Sequence, residues 1–170
     1  MSTERKRSRM LWGIGLLIGA IGCASLRNIP AIGISPLASV VIEGLIFACL
    51  LAAARFSCRQ TAAIIGAAVP LHLWGLGFMD GFMIPVSILV NLSLTLCMHL
   101  LQKKSLPYWL SVLTLTAVGF AVLFFGSTAV IWIVKRESIV RTAAEAWNTN
   151  FYGLFSLLGA SAVCAVPYRK

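Results

Sequence analysis

Six long apolar stretches follow one another along this chain of 170 residues. They cover residues 10–26, 36–54, 61–78, 83–101, 107–134 and 149–166. A transmembrane helix needs about 20 predominantly apolar residues, and a chain inside a bilayer must satisfy its backbone polar groups within each segment. We therefore predict an all-α, polytopic membrane protein in which six transmembrane helices form a single domain over residues 1–170, with residues 1–9 as a basic N-terminal segment.

The composition excludes the soluble classes of protein. Hydrophobic residues make up 59% of the chain and charged residues only 11%, and the mean hydropathy is +0.92. Soluble domains are about one-quarter charged. A chain this apolar lacks the polar side chains to cover a core in water, and disordered chains are polar rather than apolar.

The basic residues are unevenly placed between the apolar stretches. Ten fall on one side of the predicted membrane: Arg5, Lys6, Arg7, Arg9, Arg55, Arg59, Lys103, Lys104, Arg169 and Lys170. Four fall on the other side: Arg27, Lys135, Arg136 and Arg141. Cytoplasmic loops are enriched in Lys and Arg, so we expect both termini in the cytoplasm and a multi-pass protein of the cytoplasmic membrane.

The formal net charge of +9 is also explained by the basic residues between the apolar stretches. In a soluble protein it would suggest a nucleic-acid partner, but basic residues between apolar stretches act as topology signals, so no nucleic-acid partner is expected. The basic start before the first stretch also resembles a signal peptide. Because further apolar stretches follow, we expect that it is not cleaved.

Polar side chains from several helices fall in the outer half of this predicted bundle. They are Glu43, His72, Trp74, Asp80, Asn91 and Asn148. An unpaired polar group in hydrocarbon costs several kcal/mol, so these groups should face the bundle interior, and we predict an outward-facing pocket for a small polar molecule. Glu43 and Asp80 would accept hydrogen bonds or balance a cationic group. His72 and Asn91 would orient the ligand, and Trp74 would stack on a ring.

The ionisable members of this set also have structural interpretations. Glu43 could form an ion pair with Arg27. His72 could hydrogen-bond the backbone carbonyl that Pro70 leaves free in the third helix. Asp80 could simply shape a glycine-flanked turn.

The other members have structural interpretations too. Trp74 suits an interfacial aromatic belt. Asn91 could hold two helices together through a hydrogen bond. Asn148 and its neighbour Asn150 could cap the sixth helix.

Motifs for enzymatic chemistry are absent from the sequence. There is no G-x-S-x-G or H-E-x-x-H pattern, no phosphate-binding loop, and no CxxC pair among the five cysteines. We therefore expect no catalytic residues, no metal and no cofactor, and we expect that the chain is not an enzyme. Without a nucleotide motif the chain could not power primary transport alone.

Two helices carry stripes of small residues. The first reads Gly15-xxx-Gly19-xxx-Cys23, and the third begins with the segment 62–67, which contains two overlapping small-xxx-small pairs. Such stripes let helix backbones approach closely in lipid. They could pack this bundle internally or dock a partner protein.

The layout resembles the substrate-binding (S) components of energy-coupling factor transporters. The features that carry the resemblance are six short spans with a basic start, the loop 29–36 after the first helix, Ala54-Arg55 closing the second, the small residues 62–67 opening the third, and Ile84-Pro85-Val86 leading to Asn91. The resemblance implies capture of a vitamin or cofactor precursor on the outer side. It also implies that a membrane coupling subunit and two ATPase subunits supply the power.

In that family an Ala-xxx-Ala face on the first helix contacts the coupling subunit. Gly15 and Gly19 occupy the matching positions here, with glycine in place of alanine. An alternative hypothesis is an MreD-like membrane scaffold protein of cell-wall synthesis, in which the helix faces matter and no ligand is transported.

Overall fold

The structure, a computed structural model, describes residues 3–29, 35–57, 59–103 and 106–165. These residues form six α-helices and two short 3-10 segments, with no strand among them. The helices are α1 (Thr3–Ser25), α2 (Pro36–Phe56), α3 (Arg59–Gly75), α4 (Ile84–Lys103), α5 (Tyr108–Lys135) and α6 (Ile139–Cys164). The 3-10 segments are Leu26–Asn28, after α1, and Gly81–Met83, before α4. The prediction of an all-α fold is confirmed.

Four helical segments within the described ranges are long and apolar enough to cross a membrane. They are Arg7–Asn28, Pro36–Phe56, Gly81–Lys103 and Tyr108–Lys135. These segments indicate a membrane protein. The other two helices differ from them: α3 is 17 residues long, and the first half of α6 carries Arg141, Glu145 and Asn148.

The sixth helix begins earlier than the sequence predicts. It starts at Ile139, whereas the apolar stretch starts at residue 149. Asn148 and Asn150 therefore lie inside α6, and their interpretation as cap residues is wrong. Hydropathy marks only the apolar part of a helix, and α6 continues beyond that part because it packs along α5.

The helices pack around α2. Successive helices are joined by short connections and run antiparallel. Helix α2 packs against α1, α3, α4 and α6, and α5 packs against α4 and α6. One end of the bundle, here called the terminal end, holds the start of α1 and the end of α6. The opposite end, the distal end, holds the connections from α1 to α2, from α3 to α4 and from α5 to α6.

The interior and the perimeter of the bundle are both apolar. Fully buried leucine and isoleucine side chains from five helices meet in the core: Leu50, Leu51, Ile65, Leu94, Leu115 and Leu157. Large apolar side chains are also exposed around the outside, for example Val41, Ile64, Leu89 and Phe125. Such a perimeter would aggregate in water, but it matches the acyl chains of a bilayer.

Small residues set the closest helix contacts. A Cβ added at Gly66 of α3 would lie 3.0 Å from Cβ of Asn91 on α4. A Cβ added at Gly13 of α1 would lie 2.5 Å from Cγ2 of Thr61 on α3. Since Ala62 and Gly66 are both buried, this small-residue pair of α3 packs inside the bundle.

Candidate functional site

A cavity of about 570 Å³ opens in the distal half of the bundle. Its rim includes exposed residues such as Asp80 and Tyr152, and its floor includes the buried residues Val90 and Asn91. The side chains of α2, α3, α4 and α6 form most of the wall. The lining residues are Arg27, Pro36, Ser39, Val40, Glu43, Ile46, Phe47, Val69, Pro70, Leu73, Phe78, Met79, Asp80, Met83, Ser87, Val90, Asn91, Leu123, Thr149, Asn150, Tyr152 and Gly153.

An ion pair joins the 3-10 segment after α1 to α2 at one side of the cavity. Arg27 Nη2 lies 2.5 Å from Glu43 Oε1, and the Arg27 side chain is only 15% exposed. The Ser156 hydroxyl of α6 lies 3.5 Å from Glu43 Oε2 and donates to the Val40 carbonyl at 3.0 Å. The ion pair between Arg27 and Glu43 therefore forms, and Glu43 lines the cavity as well.

Two buried amides contribute to the floor. Asn91, 6% exposed, donates from Nδ2 to the Gly66 carbonyl at 2.9 Å. Asn150, 8% exposed, donates from Nδ2 to the Ala146 carbonyl at 2.8 Å. Because a carbonyl can only accept, these bonds fix each amide nitrogen, and each Oδ1 is left without a donor among the described residues.

Asp80 is the remaining charged side chain of the cavity lining. It lies at the N-cap of the second 3-10 segment, but its carboxylate caps no backbone N–H there. The described residues offer it neither a salt-bridge partner nor a hydrogen bond to its side chain. Asp80 is exposed and lies in the same lining as Phe78 and Tyr152.

Most of the wall between rim and floor is apolar. Its aliphatic, aromatic and thioether side chains include Ile46, Phe47, Val69, Leu73, Met79, Met83, Val90 and Leu123. The Ser87 hydroxyl points to Sδ of Met79 at 3.5 Å. A small set of polar groups in an apolar wall is the usual composition of a small-molecule site.

Three of the six residues predicted for the pocket lie outside the lining. His72 contacts Ser25 of α1, with Nε2 and Oγ 3.0 Å apart. Ser25 gives its only proton to the Ile21 carbonyl at 2.9 Å, so Nε2 of His72 must be the donor in this contact. The histidine therefore ties α3 to α1, through a hydroxyl rather than through the carbonyl freed by Pro70.

Trp74 and Asn148 are the other two predicted residues that lie outside the cavity lining. Trp74 is 54% exposed near the end of α3, and Asn148 is exposed on α6. Both fail to line the cavity because their helices rotate them outward. The sequence interpretation missed Asn150, which shares a buried face of α6 with Ala146, Gly153 and Leu157. The i, i+3, i+4 spacing of these residues could have identified it, had the helix been predicted to start at Ile139.

The two glycines predicted to dock a partner face different surroundings. Gly15 is exposed, and a Cβ added there would meet nothing within 4 Å. Gly19 is half-buried, and a Cβ there would lie 3.7 Å from Cys49 Sγ of α2. The open stripe of α1 runs instead through Leu11, Gly15, Ile18 and Gly22, all exposed.

A surface groove accompanies this stripe. It measures about 760 Å³ and is lined by Arg7, Ser8, Leu11, Trp12, Gly15 and Leu16. Since all of these residues belong to α1, the groove is a feature of one helix surface and is not enclosed by the bundle.

The described part of the chain contains no group of three or more His, Cys, Asp or Glu side chains that could hold a metal ion. Its four cysteines, Cys23, Cys49, Cys97 and Cys164, are free thiols. The lining of the cavity offers a bound molecule hydrogen bonds, charge and apolar contact. Comparison with known protein families, with curated proteins and with solved structures finds no match to this chain.

Proposed function

We propose that this chain captures a small water-soluble ligand from outside the cell, as the substrate-binding subunit of an importer of the energy-coupling factor type. The observation that carries the proposal is the cavity in the distal half of the bundle, with its apolar wall and its few polar groups. In this proposal the ligand is a vitamin or cofactor precursor, and the chain itself catalyses no covalent reaction.

The charge distribution supports an outward-facing cavity. Four of the five acidic residues, Glu43, Asp80, Glu137 and Glu145, lie in the distal half, and the fifth, Glu4, lies at the start of α1. Three of the four pair with basic residues: Glu43 with Arg27, Glu145 with Lys135, and Glu137 with Arg141. The terminal end holds Arg7, Arg9, Arg55 and Lys103. Among the described residues most of the basic side chains without an ion pair thus lie at the terminal end, Arg136 being an exception at the distal end, and the positive-inside rule assigns the terminal end to the cytoplasm.

Helix lengths support six spans. At 1.5 Å per residue α3 is about 26 Å long, close to the hydrocarbon thickness of about 30 Å. Helix α5, with 28 residues, is about 42 Å long and exceeds that thickness. We place the excess on the outer side, where α5 and the first turns of α6 would project together. The Lys135–Glu145 pair, 2.5 Å apart, would then lie outside the hydrocarbon.

Power for uptake would come from other proteins. We propose that a membrane coupling subunit, driven by two ATPase subunits, docks on the exposed stripe of α1 around Gly15. Open space at Gly15 and Gly22 would allow another helix to approach closely. Gly19 does not belong to this proposed contact, because it faces α2.

Blocking the cavity tests ligand capture. Ser39 lines the cavity, and a Ser39→Phe substitution would place a ring in it, whereas Val41→Phe adds a ring on the exposed face of the same helix. Purified protein should gain thermal stability from at least one compound in a broad panel of vitamins and cofactor precursors. Val41→Phe should keep that gain and Ser39→Phe should lose it. A panel without any stabilising compound, or equal stabilisation of both variants, would contradict capture in this cavity.

The second candidate is the MreD-like scaffold, and the exposed stripe of α1 favours it. Under that hypothesis the stripe binds a partner and the cavity has no ligand. Ser39→Phe would then leave the cellular function intact, whereas Gly15→Leu would abolish it. Ligand capture with a docked coupling subunit requires both variants to fail in uptake.

A further inference from the structure

We infer that the cavity selects an organic cation, with an ammonium or amidinium group that donates hydrogen bonds and an apolar, ring-sized body. This inference rests on the proposed function, since it names the chemical class of the captured ligand. Three observations carry it: the charge left over in the lining, the acceptor oxygens of the buried amides and lining hydroxyls, and the apolar wall between them.

The charged side chains leave one negative charge uncompensated. Arg27 and Glu43 neutralise each other across 2.5 Å. Asp80 has no basic partner within the part of the chain that the structure describes. Arg27 Nε is buried without an acceptor among these residues, but the positive charge of this guanidinium is already balanced by Glu43.

The buried amides present acceptors to the ligand. Asn91 and Asn150 each use one N–H of Nδ2 on a backbone carbonyl, which leaves Oδ1 as an acceptor and one further N–H as a donor. Two lining hydroxyls are also committed as donors, Ser87 to Met79 and Thr149 to the Glu145 carbonyl. The Ser39 and Tyr152 hydroxyls can act in either sense. These oxygens can accept the protons of a cationic group, and the preference for positive charge rests on Asp80.

The wall between these groups suits a flat, apolar body. Phe47, Met79, Met83 and Leu123 line the cavity. Phe78, in the same lining as Asp80, can stack on a ring or hold a cation over its face. A volume of about 570 Å³ accommodates a ligand of one or two rings.

Three indole compounds that differ in charge test the inference. Tryptamine is cationic, tryptophol is neutral and indole-3-acetate is anionic, while the ring is the same. Their binding to the purified full chain in detergent would be measured as the rise in Tm by far-ultraviolet circular dichroism, and as Kd by thermophoresis. We expect tryptamine to bind about five- to tenfold more tightly than indole-3-acetate, with tryptophol between them.

Two charge-removing variants locate the effect. Asp80→Asn should weaken tryptamine binding about three- to fivefold and leave tryptophol binding unchanged. Glu137→Gln is the matched control, because Glu137 also lies in the distal half but pairs with Arg141 outside the cavity lining. It should leave the binding of all three compounds unchanged.

The outcomes separate this inference from ligand capture itself. Preferential binding of indole-3-acetate, or equal effects of Asp80→Asn and Glu137→Gln, would overturn the cationic class while capture stands. If the indoles do not bind, compounds from the vitamin panel decide: a cationic hit that Asp80→Asn weakens supports the inference, and a neutral or anionic hit overturns it. If neither the indoles nor the panel bind, capture falls and this inference falls with it.

Discussion

Asn91 has two roles in the structure, and they involve different atoms of one side chain. Its Nδ2 ties α4 to the Gly66 carbonyl of α3, and its Oδ1 is free to meet a ligand. The sequence left helix pairing and ligand binding as alternatives for this residue. The geometry makes them compatible, because an amide has a donor side and an acceptor side.

Truncating the two amides should therefore have different consequences. Asn91→Ala removes a buried bond between helices and leaves the Gly66 carbonyl unpaired, which should cost about 1–3 kcal/mol of stability. Asn150→Ala removes a bond within α6 to Ala146 and should cost less. Both variants should weaken ligand binding, since each removes an acceptor of the floor. Denaturation in detergent measures the stability of each variant, and thermophoresis measures its ligand binding. Equal stability of the two variants would argue against a role of Asn91 in joining α3 to α4.

Glu43 illustrates how a charged side chain is accommodated within the helix bundle. Its carboxylate pairs with Arg27 of the 3-10 segment after α1 and lies near the Ser156 hydroxyl of α6. One side chain thereby links three elements, and the ion pair avoids leaving either charge alone in a poorly solvated site. The sequence predicted the Arg27–Glu43 pair as one of two interpretations, because both residues fall on the same side of the predicted membrane.

At the scale of the element, α1 shows that a glycine stripe has more than one face. Gly13 lies against Thr61 of α3, Gly19 faces Cys49 of α2, and Gly15 and Gly22 are open. Successive positions on a helix turn by about 100°, so small residues spaced by four do not stay on one face over long distances. The Gly15-xxx-Gly19 pair therefore straddles the border between packed and exposed surfaces.

Leucine substitutions on α1 should separate packing from docking. Gly19→Leu must push a side chain against Cys49, so we expect a lower Tm of the isolated chain. Gly15→Leu points into open space and should leave both Tm and ligand binding unchanged. In cells that contain the partner subunits, Gly15→Leu should nevertheless abolish uptake, because bulk on this stripe blocks close helix approach. Normal uptake by Gly15→Leu would move the docking surface to another helix.

The pair α5 and α6 accounts for the polar start of the last helix. Arg141 bonds Glu137 at 3.1 Å, and Glu145 bonds Lys135 of α5. Further along the pair, aromatic rings replace the charges: Trp147 meets Phe120 and Phe124 of α5 with centroids 5.7 and 6.2 Å apart. This change from ion pairs to rings along one interface is expected where a helix pair leaves water and enters hydrocarbon.

At the scale of the whole molecule, the proposed orientation and span count can be measured together. Single cysteines at Ser8, Gly75 and Ser138 would be introduced in a variant without the five native cysteines, since all three positions are exposed. A membrane-impermeant maleimide should label Gly75→Cys and Ser138→Cys in intact cells, and Ser8→Cys only after permeabilisation. A protein with only four spans, lacking α3 and α6, would place all three positions in the cytoplasm. Labelling of Ser8→Cys alone in intact cells would reverse the proposed orientation.

The hydropathy of each segment was sufficient to predict an all-helical fold. The apolar stretches predict the bounds of α2, α3, α4 and α5 to within three residues, because hydropathy and backbone hydrogen bonding are properties of each segment by itself. Helix α1 begins at Thr3, seven residues before its apolar stretch, and so includes most of the basic N-terminal segment. The location of the polar groups in the distal half also follows from counting residues along antiparallel helices. Glu43, Asp80 and Asn91 could be named as cavity residues on this basis alone.

Rotation of each helix about its own axis was decided only when the helices packed. That rotation turns His72 toward Ser25, exposes Trp74 and Asn148, brings Asn150 to the floor, and separates Gly15 from Gly19. In a soluble protein an amphipathic pattern would indicate the buried face, but here both the exposed and the buried faces carry large apolar side chains. The segments therefore follow from the sequence, whereas the faces they present, and with them the lining of the cavity, follow from steric fit between neighbouring helices.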